Sequence, residues 1–170
     1  MAEAKVGERF IKHELDEAIA IQQCIVEAEQ QLSQSHPEPE AKQVMKTCLK
    51  EDERFLKELQ KLGKPLGATG EVEDVAGGLK QLMEQTLKSA NEAESEAYEA
   101  HAVLVNLKRK QQDSAAAMIR IARETKNTEM RTAATEFEKS QKQSAQELAG
   151  QLANLAVKIA TNQGMNGARV

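Results

Sequence analysis

The residues "AIAIQQCIVEAEQQL" (18–32) form the middle of a long amphipathic helix whose apolar face is interrupted by polar residues. The apolar residues of this face recur at steps of three, four or seven, as on one buried stripe of an α-helix: Ile11, Leu15, Ala18, Ile25 and Leu32. Gln22 and Glu29 fall on the same stripe, and Cys24 lies at its margin. A chain with this stripe must pack it against other helices, and it must also supply partners for the inward polar groups.

Composition favours helices along the whole chain. Aromatic residues make up 2% of the 170 residues, and there are only three prolines. Sheets are rich in aromatic and β-branched residues, whereas Ala, Glu, Gln, Lys and Leu favour long helices. We therefore expect an all-α protein with one domain over residues 1–162 and a loose tail over 163–170.

Turn signals divide the chain into four predicted helices. Prolines at 37 and 39 end the first helix, and a glycine-rich stretch at 63–70 ends the second. "QQDS" at 111–114 is the predicted turn between the third and the fourth. The predicted helices cover 6–33, 40–62, 74–110 and 115 to at least 150. Short connections favour an antiparallel up-down four-helix bundle, with a long C-terminal helix or a short fifth helix.

Charge and hydropathy exclude several classes of protein. The net charge of −4 argues against nucleic-acid binding, which normally uses a basic face. The basic run "KRK" at 108–110 is interpreted as the cationic end of the third helix. No apolar run approaches the ~20 residues that span a bilayer, and the N-terminus lacks a signal-type apolar segment. We expect a cytoplasmic protein, without a membrane or nucleic-acid partner.

Familiar catalytic motifs are absent from the sequence. The glycines at 63–70 lack the lysine and serine of a phosphate-binding loop, and no nucleophile motif or Cys-x-x-Cys pair occurs. The sequence thus favours a non-enzymatic protein.

Four short segments resemble the helices of ferritin-like four-helix proteins, and most of all the bacterial Yci-type stress proteins. They are "LDEAIAIQQCI" (15–25), "CLKEDERFLKEL" (48–59), "EAESEAYEAHAVL" (92–104) and "RETKNTE" (123–129). The resemblance implies a ferritin-like fold, a stress-associated role and a position on each helix for a ligand of a two-iron centre. Proteins of this type hold their ions with carboxylates and histidines.

Carrying the ligand positions over shows departures from that pattern. Gln22 stands where the first-helix glutamate would be, and Cys48 stands where the second-helix histidine would be. A shifted register, Glu51-x-x-Arg54, also lacks a histidine. Neutral amides and guanidinium groups do not bind iron, so a standard di-iron centre is not expected and no cofactor is predicted.

A divergent site for iron or another divalent metal is the alternative. Its candidate ligands are Glu94, Glu124, Asp52, Cys48 and His101. His13 and Glu17 are four residues apart, which is more typical of a surface pair. His36 lies in the proline-containing turn and is predicted to be solvated.

The two cysteines form a second candidate site. Cys24 and Cys48 lie at a similar level of the predicted first hairpin. They are a candidate redox pair if their Cα atoms approach within about 4.4–6.8 Å. Two small buried hydrophobic residues are the simpler interpretation.

Three hypotheses of function follow. The first is a ferritin-like bundle without a di-iron centre that serves as a stress-associated structural or interaction module and forms a homodimer through its long helices. The second is a divergent metal protein with iron-handling or oxidase chemistry. The third is a lipid-binding amphipathic bundle, against which its acidic polar faces and short loops argue.

Overall fold

The computed structural model describes the backbone of residues 6–73 and 75–167 and the side chains of 7–73 and 75–162. All regular structure in these residues is helical, which confirms the all-α prediction. The helices are α1 (Val6–Ser35), α2 (Pro39–Gly63), α3 (Val75–Ser89), α4 (Glu94–Glu124) and α5 (Thr128–Gly167), with a short 3-10 helix at Lys64–Leu66. In the described part of the chain, none of the helices has the length and apolarity required to cross a membrane.

Four helices contact one another in a ring, in the order α1, α2, α5, α4. Pairs of contacting residues give their directions, because rising numbers on one helix meet falling numbers on its neighbour. These pairs are Glu17 with Lys110, His36 with His101, Lys61 with Glu129, and Glu38 with Lys158. Helices α1 and α5 therefore run in one direction, and α2 and α4 run in the other.

The chain returns from the end of α2 to the opposite end of the ring through residues 64–93. The loop is held against α1 where Asp16 Oδ1 accepts hydrogen bonds from the backbone N–H groups of Thr69 (2.7 Å) and Gly70 (3.0 Å). Further along, Gln31 donates to the Leu87 carbonyl at 2.7 Å. Helix α3 thus packs beside α1 and α4. The connection over residues 64–93 is much longer than the predicted link at 63–73.

The predicted turn at 111–114 is wrong, because these residues lie inside α4. The turn instead falls at 125–127, where Asn127 donates from its backbone to the Ala122 carbonyl at 2.9 Å. Lys126 takes the left-handed conformation (φ 57°), and the Asn127 side chain accepts from the Met130 N–H at 3.0 Å, capping α5. Asp113 and Ser114 suit a helix cap, but the side chains around them are buried in the ring, and burial outweighs that preference.

A second break, at 90–93, divides the predicted third helix. Ala93 is extended (φ −153°, ψ 163°), and the next helix starts with Glu94 and Glu96, whose charges suit a helix N-terminus. Neither proline nor glycine marks this break, although Asn91 is a residue that favours turns.

Helix α5 continues through Gly150, so the C-terminal helix is long and is not followed by a separate fifth segment within residues 128–167. Within the predicted loose tail at 163–170, the backbone of residues 163–167 belongs to α5, and residues 168–170 lie outside the described residues.

The interior of the ring has two apolar clusters separated by a polar layer. One cluster includes Ile25, Leu32, Met45, Leu104 and Leu148. The other includes Leu15, Ile19, Phe55, Met118 and Phe137. On each of the four helices, buried polar residues fall between the residues of these two clusters, and on α1 Glu29 lies further along, between Ile25 and Leu32 of the first cluster. This polar layer is the candidate site.

Candidate functional site

Lys108 is the central residue of the polar layer. Its side chain is 0% exposed, and its ammonium lies 2.6 Å from Asp52 Oδ2 on α2 and 2.9 Å from Glu29 Oε1 on α1. A buried charge is tolerated only when it is paired and hydrogen-bonded. We call Glu29, Asp52 and Lys108, together with Gln22, Gln111 and Gln141, the central polar cluster.

Asp52 receives hydrogen bonds from three helices. Gln22 on α1 donates to its Oδ1 at 2.7 Å and to its backbone carbonyl at 3.2 Å. Gln141 on α5 donates to the same Oδ1, and Lys108 on α4 donates to Oδ2. Both carboxylate oxygens of Asp52 therefore face donors. These hydrogen bonds fix the carboxylate between α1, α4 and α5.

Gln22 is held in one orientation by its neighbours. Gln111 Nε2 donates to Gln22 Oε1 at 2.9 Å and to the Ala18 carbonyl at 2.8 Å. Because the amide oxygen of Gln22 accepts from Gln111, its amide nitrogen must point at Asp52. This relay explains how a glutamine is accommodated on the apolar stripe of α1.

Glu29 is the least satisfied member of the cluster. Its oxygens are buried, and neither accepts a hydrogen bond from the described residues, although Oε1 forms the ion pair with Lys108. Burial raises the pKa of Glu29 well above its ordinary range. The nearby Lys108 ammonium offsets this rise only in part, and Asp52 adds to it. Burial therefore works against the ionised form of Glu29, although its carboxyl group lies beside the Lys108 ammonium.

The charge balance of the cluster follows from these environments. Burial alone would lower the pKa of Lys108, but Glu29 and Asp52 outweigh burial and raise it. The ammonium thus lies between two carboxyl groups, of which Asp52 also receives hydrogen bonds from the glutamine amides. The buried oxygens of Gln111 and Gln141 also lack donors among the described residues, so the unpartnered side-chain atoms of the cluster are all acceptors.

The predicted metal ligands do not come together. Asp52 belongs to the central polar cluster, and Cys48 lies one turn before it on α2. Glu94 is the first residue of α4 and Glu124 is the last. The 30 residues between them correspond to about 45 Å of helix, so the two cannot bind the same ion.

Three of the predicted ligands have other partners or surroundings. Glu94 pairs with Lys158 at 3.1 Å, whereas Glu124 is exposed. His101 lies seven residues before Lys108, about 10 Å along α4, and contacts His36 at 3.1 Å. The predicted solvation of His36 is wrong, because this side chain is 0% exposed.

The cysteines are both free and buried. Burial raises the pKa of each thiol to about 12. The charged neighbours of Cys24 are Glu27, Glu84 and Lys80, whereas those of Cys48 are Lys108, Glu29, Asp52 and Glu147. The two thiols therefore face different surroundings, and burial opposes the thiolate that redox exchange requires.

Among the described side chains, one group of acids and histidine meets the spacing of a metal site. His13, Glu14 and Glu17 have ligand atoms within 4.8 Å of one another on the surface of α1. Glu17 is already paired with Lys110 at 3.0 Å, and exposed groups of this kind are common on helices.

Lys108, Gln111 and Gln141 are the cluster members that the sequence interpretation did not assign. The sequence pattern predicts a helix end at Lys108 and a turn at Gln111. The sequence carries a usable signal for both, because they extend the buried stripe of α4, which comprises Ala97, His101, Leu104, Lys108, Gln111, Ala115, Met118 and Ala122. Gln141 lies four residues after Phe137, a spacing that places it on the same face of α5.

No protein-family model matches the chain, and no curated protein matches it.

Proposed function

We propose that the protein is a ferritin-like helical module that works without a bound metal, because a lysine ammonium occupies the centre where such folds hold their ions. Its role is structural or interactive, in a stress-associated setting as the sequence resemblance implies, and its working form is a homodimer. The observation that carries the proposal is the position of Lys108 between Glu29 and Asp52, at 2.9 and 2.6 Å.

The connectivity supports the ferritin-like part of the proposal. Ferritin-like folds join two antiparallel helix pairs by one long crossover. Here α1 and α2 form one pair and α4 and α5 the other, while residues 64–93 make the crossover along the ring.

The chemistry of the cluster supports the absence of a resident metal. Two carboxyl groups from neighbouring helices are ligands that a divalent cation could use, but the Lys108 ammonium already lies between them and repels a second cation. Gln22 and Gln141 donate to Asp52, and Gln111 holds Gln22 in place. By the sequence resemblance, Gln22 stands at the position of a ligand carboxylate.

Burial of the cluster supports a structural role over a catalytic one. Lys108, Gln22, Gln111 and Gln141 are each 0% exposed. A substrate would have to separate the helices to reach them. Buried ion pairs contribute little net stability but are strongly destabilising when broken, so the cluster fixes which helices meet.

Metal loading tests this proposal directly. Purified protein would be incubated anaerobically with ferrous iron, exposed to air, desalted and analysed for iron, together with its near-UV absorption. We expect neither stoichiometric iron nor a charge-transfer band. The matched variant is Lys108→Met/Gln22→Glu, which removes the ammonium and restores a carboxylate, and we expect it to retain more iron than the wild type.

Stoichiometric iron in the wild-type protein would overturn the metal-free proposal and favour the iron-handling alternative. Light scattering at several protein concentrations tests the homodimer separately, and a strict monomer would remove that part. The lipid-binding alternative has less support, because the exposed large apolar residues are scattered over three helices: Phe10, Val75, Leu82 and Val157.

A further inference from the structure

Two buried histidines join the turn between α1 and α2 to α4. His36 Nε2 lies 3.1 Å from His101 Nδ1, and the rings meet edge to face with centroids 5.0 Å apart and planes at 78°. Both side chains are 0% exposed. The contact spans 65 residues of sequence, and it lies at the end of the ring away from the predicted metal residues Asp52 and Glu124.

The hydrogen bonds fix the protons on both rings. The Glu38 backbone N–H donates to His36 Nδ1 at 3.1 Å, so that nitrogen must be an acceptor. His36 therefore carries its proton on Nε2 and donates it to His101 Nδ1. His101 in turn carries its proton on Nε2, which is buried near the Leu148 backbone and forms no well-aligned hydrogen bond with the described residues.

A proton added to either ring breaks this chain of hydrogen bonds. Protonated His36 would present an N–H at Nδ1 to the N–H of Glu38. Protonated His101 would present an N–H at Nδ1 to the Nε2–H of His36. Each case places two donors face to face in a buried position, which has the penalty of an unsatisfied polar group.

We propose that the His36–His101 pair is an acid-sensitive latch, which holds the α1–α2 turn against α4 while both rings are neutral and releases that end of the ring when either ring is protonated. This device is independent of the proposed function.

The charged groups around the latch come from the turn and from all three neighbouring helices. Glu38 in the turn and Lys42 on α2 lie near His36, as does Lys158 on α5. Lys158 also joins Glu38 and Glu94 across the outside of the latch, at 2.6 and 3.1 Å. That ion-pair bridge is partly exposed, so the buried rings make the more stable connection.

Burial lowers the pKa of both histidines. For His36, the backbone hydrogen bond with Glu38 and then the Glu38 carboxylate oppose this shift, whereas Lys42 and Lys158 add to it. For His101, burial and the neighbouring His36 lower the pKa from 6.5 to about 4, and the Leu148 backbone opposes the shift. Unfolded histidines thus bind protons more readily than the folded pair, and stability falls as the pH drops from 6.5 towards 4.

The size of the effect follows from these values. With pKa values of about 4 folded and 6.5 unfolded for His101, the folding equilibrium constant is about 30-fold lower at pH 5 than at pH 8 from this residue alone. Any contribution of His36 has the same sign.

Double replacement by glutamine gives the sharpest test. In His36→Gln/His101→Gln, each amide can accept and donate as the neutral ring does, but neither titrates. Both this variant and its parent would carry His13→Gln, so that the third histidine does not contribute. Urea unfolding at pH 5, 6, 7 and 8 gives the folding equilibrium constant of each protein. Between pH 8 and pH 5 this constant should fall about 30-fold more in the parent than in the variant. An equal loss in both proteins would overturn the latch.

A second measurement applies even if the double variant does not fold. Ring nitrogen chemical shifts of the parent should show both histidines with the proton on Nε2 at pH 7. The protection factors of residues 33–40 against hydrogen exchange, taken relative to the intrinsic rate at each pH, should fall below about pH 5 before those of residues 50–60 do. Rings that titrate near 6.5 with unchanged protection at 33–40 would contradict the proposal.

Discussion

The ammonium of Lys108 bonds to Asp52 across the diagonal of the helix ring, joining α4 to α2 at 2.6 Å. These helices are separated on either side by α1 and α5, which themselves donate to Asp52 through Gln22 and Gln141. One carboxylate is therefore the meeting point of four helices, and its removal should have a larger effect than removal of its neighbour Glu29.

Asp52→Asn and Glu29→Gln form a matched pair that tests this difference. Asp52→Asn places a buried amide against two glutamine donors and leaves Lys108 without its charged partner, so we expect a loss of about 3–5 kcal/mol of unfolding free energy. Neither Glu29 oxygen accepts a hydrogen bond from the described residues, and Glu29→Gln keeps the Asp52–Lys108 pair, so it should change stability by about 1 kcal/mol or less. Denaturant unfolding at pH 7 measures both variants, and equal losses would show that Asp52 is no more important than Glu29.

Lys108→Met removes the buried charge while keeping most of the side-chain volume. We expect a loss of about 3–5 kcal/mol, because Asp52 then lacks a cation in a buried site. The double variant Lys108→Met/Asp52→Asn should lose less than the sum of the single losses, since it leaves no uncompensated charge. Unfolding of all four proteins in a double-mutant cycle gives the coupling, and strict additivity would argue against the ion pair.

Gln22→Glu should destabilise the protein in a pH-dependent manner. The new carboxylate cannot donate to Asp52 and adds a like charge beside it, which raises its folded pKa. Stability is then lost as the pH rises above the unfolded pKa of about 4.3, and the deficit relative to wild type should grow between pH 5 and 8. Gln22→Met is the control, since it loses the same hydrogen bonds without adding a titrating group, and its deficit should stay constant over this range.

Lys126→Gly should stabilise the turn between α4 and α5. Lys126 has φ 57°, a conformation that glycine adopts without the penalty of a side chain. We expect a gain of about 1 kcal/mol in unfolding free energy. Lys139→Gly, at an exposed position inside α5, should instead lose about 1 kcal/mol. A loss at both positions would argue against the left-handed turn.

The cysteine thiols should react slowly in the folded protein. Burial raises both pKa values to about 12, so the reactive thiolate is scarce at neutral pH. Labelling with a thiol reagent should be slow at pH 8 and become fast in denaturant, and mild oxidation should not join Cys24 to Cys48. Rapid labelling of the native protein, or an intramolecular disulfide, would contradict this prediction.

The stripe of α1 and the proline turn predicted the first hairpin well, with α1 ending two residues beyond the predicted Ser33. The second half was less predictable, because its turns rely on Asn127 and Ala93 instead of proline or glycine. Residues 111–114 include side chains that favour a helix cap. This local preference is weak compared with the free energy gained by burying their neighbours in the packed ring.

The central polar cluster could be only partly predicted. Gln22 and Asp52 were recognisable as polar residues on apolar faces. Lys108 was not, because a lysine at a helix end is ordinary, whereas a buried one requires two acids from other helices. Which side chains meet across the ring depends on the crossover and on the rotation of each helix, and neither is specified by local sequence.

The division of the cluster between the two hairpins has a consequence for assembly. The α1–α2 hairpin carries both acids, Glu29 and Asp52, and the α4–α5 hairpin carries the cation, Lys108. Either hairpin folded alone would hold uncompensated charge on the face that it must bury. Each hairpin therefore needs the other to bury its inner face. The complementary charges favour the correct pairing of the two halves of the chain during folding.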